Sequence, residues 1–573
     1  MLQDKDLVSI QEVRQKVDAA YSAFQKFRSF TQEQVDSIVE AMAAAARTQA
    51  EALAMLAVEE TGYGNVKDKT AKNLLNADIL PRRMQGMKTI GVLREIPEQK
   101  IVEIGVPVGV VAAILPTTNP TSTAIFKTLI ALKSGNAIVV SPHPNAFRST
   151  CATVDVLSRA AQAAGAPEGL IQCIHTPTTE GTTALMRHER TGVILATGGH
   201  GIVQAAYSSG NPAYGVGPGN VPVLIEQSAI AADAVAKIVE GKSFDFGTVC
   251  SSEQAIVCEE SQRTQVVAAL KENRAYFCND VQKDALRCIL LTPRWTVNPK
   301  CVGQSPQRIA ELAGFAVPPE TSILVVELAQ VGKQEPLSAE KLSPVLALYV
   351  VPDFAAGLAT CESLLRFGGL GHTCVIYSQN DERVREFGLR MPAFRVLVNT
   401  PAPQGSTGIT TNVFPSMTLG CGAVAGNITS DNVGPMHLLN VKRVAWEVRK
   451  ASDAFSAPSA QPVDKPSIAA AVDRYLSGKG LAAPPRAVVE EVVDRFLASK
   501  KTPAPATPSC ACELPAAPQP EPPPPPAIVP FVCEADVRDA IAAGRKIFIG
   551  PRTIVTPSAR DLGADILVQA QRQ

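Results

Sequence analysis

The stretch Val106–Pro142, VPVGVVAAILPTTNPTSTAIFKTLIALKSGNAIVVSP, decides how this chain folds. It opens with VPVGVVAAILP (Val106–Pro116), a continuous apolar run with the length and composition of a buried strand. TSTAIFKTLIALKSG follows at helical spacing, with Thr121 or Ser122 as the opening cap and Gly135 as the stop. NAIVVSP is then a second buried strand. Strand, crossover helix and strand make a unit whose two strands run parallel. The rhythm continues outward through a helix from Ala146 to Ala164 ended by Gly165, the strand GLIQCIHT, a helix near Thr179 to His188, and the strand TGVILATGG. It runs from roughly Ile104 to Leu397 and predicts an α/β fold built on parallel sheets. Ligands bind at the carboxyl edges of such sheets, where loops and helix N-termini gather.

The totals bound the function. A chain of 573 residues holds two or three domains and a large core. Lys+Arg and Asp+Glu both number 54, so no global field recruits nucleic acid or an anionic membrane. No apolar run reaches membrane-spanning length, and the opening MLQDKDLVSIQEVRQ lacks the hydrophobic region of an export signal. The expected location is therefore the cytoplasm. Thirteen cysteines without a framework spacing predict free thiols in a reducing interior, each by default a small buried hydrophobe. His143, His175, His188, His200 and His437 show no metal-ligand spacing, so no metal site is expected.

Composition shifts after about Ser452 to Ala, Pro and Ser, down to EPPPPPAIVP, which predicts a flexible Pro-rich tether over 453–530. Two segments within it, 467–480 and 486–501, share the core V-D-R-[YF]-L-[SA]-x-K. In the second, Val488, Val489, Val492, Val493, Phe496 and Leu497 form one apolar stripe at helical spacing, which wants a partner surface. A small compact unit is expected over 531–573. Cys510, Cys512 and Cys533 read as incidental thiols.

Three local features carry chemistry. LPTTNP (Leu115–Pro120) is a turn directly after a strand and presents Asn119. LATGGHG (Leu195–Gly201) runs a strand into Gly198 and Gly199 at a helix start, where backbone amides face a phosphate well. FDFGTVCSSEQ sets Cys250 on a loop between a helical and a strand pattern. An Asn amide beside a cysteine, with the cysteine's own N–H, makes an oxyanion hole. GVGPGN (Gly215–Asn220) imitates a dinucleotide fingerprint but precedes a strand instead of opening a helix, so that reading fails.

In order, LPTTNP, SPHP, ATGG, GVGPGN, FDFGTVCSSEQ, EKLSPV, GGLGHT and NTPAPQGSTG resemble the aldehyde dehydrogenase superfamily over about Asp6 to Val448. More closely they resemble its coenzyme-A-acylating branch, of the propionaldehyde dehydrogenase type found in bacterial microcompartments. The resemblance implies a Rossmann-like NAD-binding domain at 1–222 with oligomerisation strands near 91–111. It further implies an α/β catalytic domain at 223–412, a return and oligomerisation segment at 413–452, and a homo-oligomer, dimer or tetramer. It makes Cys250 the nucleophile and Asn119 the oxyanion donor. Thr117, Thr118, Ser141, His143, Thr197, Gly198, Gly199 and Glu340 fall where the family holds NAD, and His372 is a coenzyme A or proton-transfer contact.

One departure sets the expected reaction. Hydrolytic relatives carry a glutamate before a glycine pair to activate water, whereas GVGPGN has no carboxylate. A thioester on Cys250 would then await a thiolate, so coenzyme A is the expected co-substrate. The tail helices resemble encapsulation peptides, which implies a microcompartment shell or co-encapsulated enzymes as partners and a short substrate such as propanal. Two alternatives stay open: a hydrolytic enzyme giving free acid, and an assembly protein with a vestigial dehydrogenase body. NAD against NADP is also left open.

Overall fold

The strand Val110–Ile114 is buried at every residue and lies at the centre of a five-stranded parallel sheet, in the computed structural model of residues 4–454, 487–488, 491–492, 494–495, 529–563 and 566–569. The order is Ile171–Cys173, Ala137–Ser141, Val110–Ile114, Thr191–Thr197, Ala213–Val216. Register runs from Val110↔Ala137 to Ile114↔Ser141 on one side and reaches Ile114↔Ala196 on the other. The chain starts in the middle, builds outward on one side, then crosses back to build the other. The switch point falls between Val110–Ile114 and Thr191–Thr197, so the loops leaving these strands diverge and open a crevice.

Val106–Pro116 is not one strand. Val106 and Pro107 end the antiparallel strand Ile101–Pro107 of a separate sheet, and Gly109 at φ 116° turns the chain into Val110–Ile114. That φ is open to glycine alone among common residues. The following helix is Pro120–Lys133, with Pro120 in its first turn and Asn119 at the cap position. Neither Thr121 nor Ser122 caps it, and Asn119 makes no side-chain cap bond because its carboxamide is engaged elsewhere. All fourteen residues of this helix are buried. Lys127 on it donates to the carbonyls of Ile114 (2.7 Å) and Leu195 (2.8 Å), tying the ends of the two central strands together. The helix Lys5–Phe27 packs directly on this sheet beside the helix Thr179–Arg187, whereas Gln32–Thr48 and Ala50–Thr61 pack over the helices Pro120–Lys133 and Phe147–Ala163.

From Val216 the chain passes through Gly217–Asn220 into a second, seven-stranded parallel sheet. Its order is Ala275–Phe277, Ile323–Glu327, Val345–Val351, Glu253–Glu259, Val221–Ile225, Gly371–Tyr377, Ala393–Val398. Continuous apolar strands and covering helices on both faces account for its two buried clusters. Gly91–Ile96, Ile101–Pro107 and Leu439–Ala445 form a third, antiparallel sheet. There Glu103 pairs with Arg94 (2.6 Å) and Arg443 (2.9 Å).

Not every cysteine is free. Cys151 on the helix Phe147–Ala163 and Cys173 on the strand Ile171–Cys173 form a disulfide, Cα–Cα 5.7 Å. The helix packs back on the strand that follows it, a proximity invisible in the spacing of the two residues. No helix among the described residues is long and apolar enough to cross a membrane.

These elements belong to one unit, Met1–Ala454; the second is Phe455–Gln573. In the latter, Val529–Val532, Ile547–Val555 and Leu567–Gln569 form a parallel sheet with helices Glu534–Ala542 and Pro557–Leu562. Val532, Val537 and Ala559 make its small core. Residues 467–480 and most of the tether lie outside the described residues. Of 486–501, Ala487, Val488, Glu491, Val492, Asp494 and Arg495 are helical, with Val488 and Val492 exposed.

Candidate active site

Loops from five separate stretches of the chain converge on one cavity of about 570 Å³. Thr117, Thr118, Asn119, His143, Thr197, Gly198, Gly199, Cys250 and Glu340 all line it, although they come from stretches more than 200 residues apart. Two of the expected residues do not. Ser141 is buried at the end of its strand, its hydroxyl 2.9 Å from that of Thr182, which does face the cavity. His372 is fully buried, with Nδ1 3.0 Å from the Thr373 hydroxyl and Nε2 without a partner. Burial, aided by Arg395, pushes its pKa down to about 3, so it is a neutral imidazole behind the wall formed by Gly219.

Cys250 follows a left-handed run, Asp245 (φ 47°), Phe246 (φ 52°) and Gly247 (φ 73°), and precedes the strand Glu253–Glu259. Non-glycine residues adopt such angles only when their surroundings hold them there. Here Asp245 is held by the buried ammoniums of Lys69 (3.0 Å) and Lys72, by the Thr248 hydroxyl (2.5 Å) and by the Asn65 N–H (2.9 Å). Burial alone would raise the Asp245 pKa, but the two ammoniums and Thr248 outweigh it and hold it below the usual range. The Cys250 thiol is half-buried against Val216, Leu419 and Cys421. Burial and then the Glu340 charge push its pKa up to about 12, with Arg395 opposing. The resting thiol is protonated and needs a base to become a nucleophile.

Asn119 accepts from Lys72 Nζ at 2.5 Å through Oδ1, and its Nδ2 donates to the Thr248 carbonyl (3.3 Å) and the Thr118 hydroxyl (3.0 Å). Lys69, Lys72 and Asp245 escaped the sequence reading. Lys69 and Lys72 lie on the Asn65-capped helix Val66–Leu74, and their three-residue spacing normally marks a solvated face.

The segment Gly215–Asn220 forms the wall beside Cys250. Val216, Gly217 and Pro218 line the cavity, and a Cβ at Gly219 would lie 2.2 Å from the Cys250 carbonyl oxygen. The Gly219 N–H donates to Glu340 Oε1 at 3.1 Å. Glu340 is the one carboxylate among the described cavity residues, and burial pushes its pKa up to about 8.

The switch-point side fits the phosphates of a dinucleotide. The helix His200–Tyr207 has Gly199 at its N-cap with no side-chain cap bond, which leaves its first amides to other acceptors. Open space lies where a Gly199 Cβ would sit, and the buried Thr197 hydroxyl has no protein partner. Gly198 is small for another reason: its Cβ would meet Ile202 at 2.6 Å.

Known proteins resemble this chain in sequence and fold. The profile of the aldehyde dehydrogenase family matches residues 6–279. The chain is 44% identical over 444 residues to the bifunctional aldehyde-alcohol dehydrogenase of Escherichia coli K12, covering 77% of this chain and 50% of that protein. It thus spans about half the length of that curated relative. The crystal structure of an acetylating aldehyde dehydrogenase from Geobacillus thermoglucosidasius superposes with TM-score 0.77 at 50% identity, over 78% of this chain and 99% of that one. A propionaldehyde dehydrogenase from the Clostridium phytofermentans fucose utilisation bacterial microcompartment gives TM-score 0.69 at 26% identity, over 77% and 98%.

Proposed function

Because the chain belongs to the aldehyde dehydrogenase family, we propose that it is a coenzyme-A-acylating aldehyde dehydrogenase working through a thioester on Cys250. The observation that carries the acylating reading is the wall opposite Cys250. Segment 215–220 offers no carboxylate to activate water, and Glu340 accepts the Gly219 N–H. The similarity to an acetylating enzyme across nearly its whole length supports it independently.

Cys250 loses its proton to water in the cavity and its sulfur adds to the aldehyde carbonyl, forming a C–S bond while the carbonyl π bond opens to an oxyanion. Asn119 Nδ2 and the Cys250 N–H stabilise that oxyanion. The nicotinamide, when bound, supplies the acceptor for the hydride that leaves the carbon. Thr197, Gly198 and Gly199 would hold its pyrophosphate side, His143 the adenosine side and Glu340 the nicotinamide ribose, with Thr117 and Thr118 also on the cofactor cavity; Ser141 would act only through Thr182, whose hydroxyl it meets. The thiolate of coenzyme A then attacks the thioester carbonyl, and Cys250 leaves as a thiolate. One thioester replaces another, so the step is reversible. Removing coenzyme A tests the reading: NADH should appear as a burst near one equivalent per site and then stall. Sustained turnover to free acid would favour the hydrolytic reading, for which Glu340 in the cavity is the available base.

A short aldehyde such as propanal, and residence in a microcompartment, extend the proposal. The supporting observations are the similarity to a microcompartment propionaldehyde dehydrogenase and the exposed Val488 and Val492 on a helical stretch of the tail. Residues 486–501 fused to a fluorescent reporter should become punctate in cells making a shell; diffuse signal would remove that helix from consideration.

A further inference from the structure

Asn119 is held by a charge cluster that the proposed chemistry does not consume. Lys69, Lys72 and Asp245 are 2%, 3% and 0% exposed, and Thr118, Asn119 and Thr248, which they contact, all line the cavity. Lys69 donates to the Thr118 carbonyl at 2.9 Å, and Lys72 to Asn119 Oδ1 at 2.5 Å, to the Thr248 hydroxyl at 3.3 Å and to Asp245. Both ammoniums contact the Asp245 carboxylate, and the Asp245 N–H in turn donates to the Asp68 carboxylate at 2.8 Å. Buried ion pairs are poor stabilisers compared with apolar residues of similar size, so fold stability alone does not explain the cluster. It also requires the left-handed backbone at Asp245 and Phe246, and a glycine at 64, where a Cβ would sit 1.9 Å from Asp245 Oδ1.

We infer that Lys72, anchored by Asp245, is a positioning residue that fixes the orientation of the Asn119 carboxamide for oxyanion stabilisation; this rests on the role proposed above for Asn119. The terminal torsion of an asparagine is broad and roughly two-fold, so packing alone leaves either end facing the reacting carbonyl. An ammonium has three donors and no acceptor. Only Oδ1 can therefore face Lys72, and Nδ2 must point to the other side, where Thr248 and Thr118 currently accept from it. The cation also draws electron density through the amide, which makes Nδ2–H the stronger donor to a developing negative charge. Without the lysine the carboxamide is free to present its oxygen to the oxyanion, which repels it.

The test compares Lys72→Met, Lys72→Gln, Asn119→Ala and Lys72→Met/Asn119→Ala in the full-length chain. Readouts are kcat and KM for aldehyde-dependent NADH formation and the rate at which iodoacetamide alkylates Cys250. Asn119→Ala should lower kcat by roughly a hundredfold, the loss typical of one oxyanion donor. Lys72→Met should lower kcat at least tenfold, with KM and the alkylation rate within about threefold of wild type. Lys72→Gln, which retains a donor for Oδ1, should recover most of that loss, and the double variant should be no slower than Asn119→Ala. Should Lys72→Met fail to fold, Asp245→Asn releases the anchor without stranding a buried carboxylate, and should show the same fall in kcat. The inference is overturned if Asn119→Ala is slow while Lys72→Met keeps wild-type kcat, or if the two losses multiply. Full activity in Asn119→Ala would instead overturn the oxyanion role itself, and this inference with it.

Discussion

Gly219→Ala tests how closely the wall of the cavity governs the nucleophile. Gly219 has no positive φ, so alanine meets no backbone penalty and the effect is purely steric. The added methyl would lie 2.2 Å from the Cys250 carbonyl oxygen, 3.3 Å from its carbon and 3.2 Å from His372 Cγ. Since real Cβ contacts essentially never fall below 3.0 Å, the two segments must separate by nearly an ångström. The strands Val221–Ile225 and Glu253–Glu259 are hydrogen-bonded neighbours within the seven-stranded sheet, so the Cys250 turn is the part that yields. Moving a reacting group by about 1 Å costs roughly a hundredfold in rate, and overpacking of this kind costs about 1–3 kcal/mol in stability. Steady-state NADH formation, with unfolding measured in parallel, should therefore show kcat down about a hundredfold in a protein that still folds. Gly388→Ala, on the helix Asp381–Arg390 with nothing within 4 Å of its Cβ, should leave activity unchanged and stabilise by up to about 1 kcal/mol. A Gly219→Ala enzyme within threefold of wild type would refute the claim that this contact positions Cys250.

Three further outcomes are expected. With its pKa near 12, Cys250 in the enzyme without substrates should be alkylated about tenfold faster for each unit of pH between 7 and 9; a plateau in that range, followed by mass spectrometry of the Cys250 peptide, would contradict the protonated resting thiol. Glu253 is buried, accepts the Ala402 N–H at 2.6 Å and has its pKa raised from 4.5 to about 8, so the native state binds its proton more tightly than the unfolded chain does. Its contribution is complete below pH 4.5 and is lost as pH rises through 8, whereas the opposing effect of Lys242, lowered to about 7, begins only near 7. Urea midpoints of Glu253→Gln should accordingly fall less steeply than wild type between pH 5 and 7, and identical slopes would show that Glu253 is not the titrating group. Truncation after Ala454 should leave specific activity intact, because every cavity residue lies in the first unit; a large loss would assign the tail a part in catalysis.

What could be read from the sequence follows from where each signal lies. Parallel strands covered on both faces, such as Val110–Ile114 and Ala137–Ser141, appear as continuous apolar runs, and the loops after them are local. That is why Asn119, Gly198 and Gly199 could be named as candidates before any fold was known. Val106–Pro116 was misjudged for the same reason. Composition does not report that a glycine at φ 116° hands the chain from one sheet to another. Lys72 and Asp245 were illegible because burial of a charge is a tertiary property, and these two are 173 residues apart. His372 matched a motif that named a contact, yet the fold buries it completely behind Gly219.

The same distinction explains why the acylating chemistry was easier to anticipate than its support. A missing carboxylate in GVGPGN is a fact about residue types and needs no coordinates. That Gly219 must lack a side chain to seat Cys250, while its N–H holds Glu340, is a fact about two peptide groups pressed together. The ordered motifs therefore pointed to Cys250 as a candidate nucleophile, and residue types alone to the absent base. Only the fold shows that the segment lacking a base is also the one pressed against the Cys250 main chain, so changes in 215–220 should alter reaction rate and reaction class together.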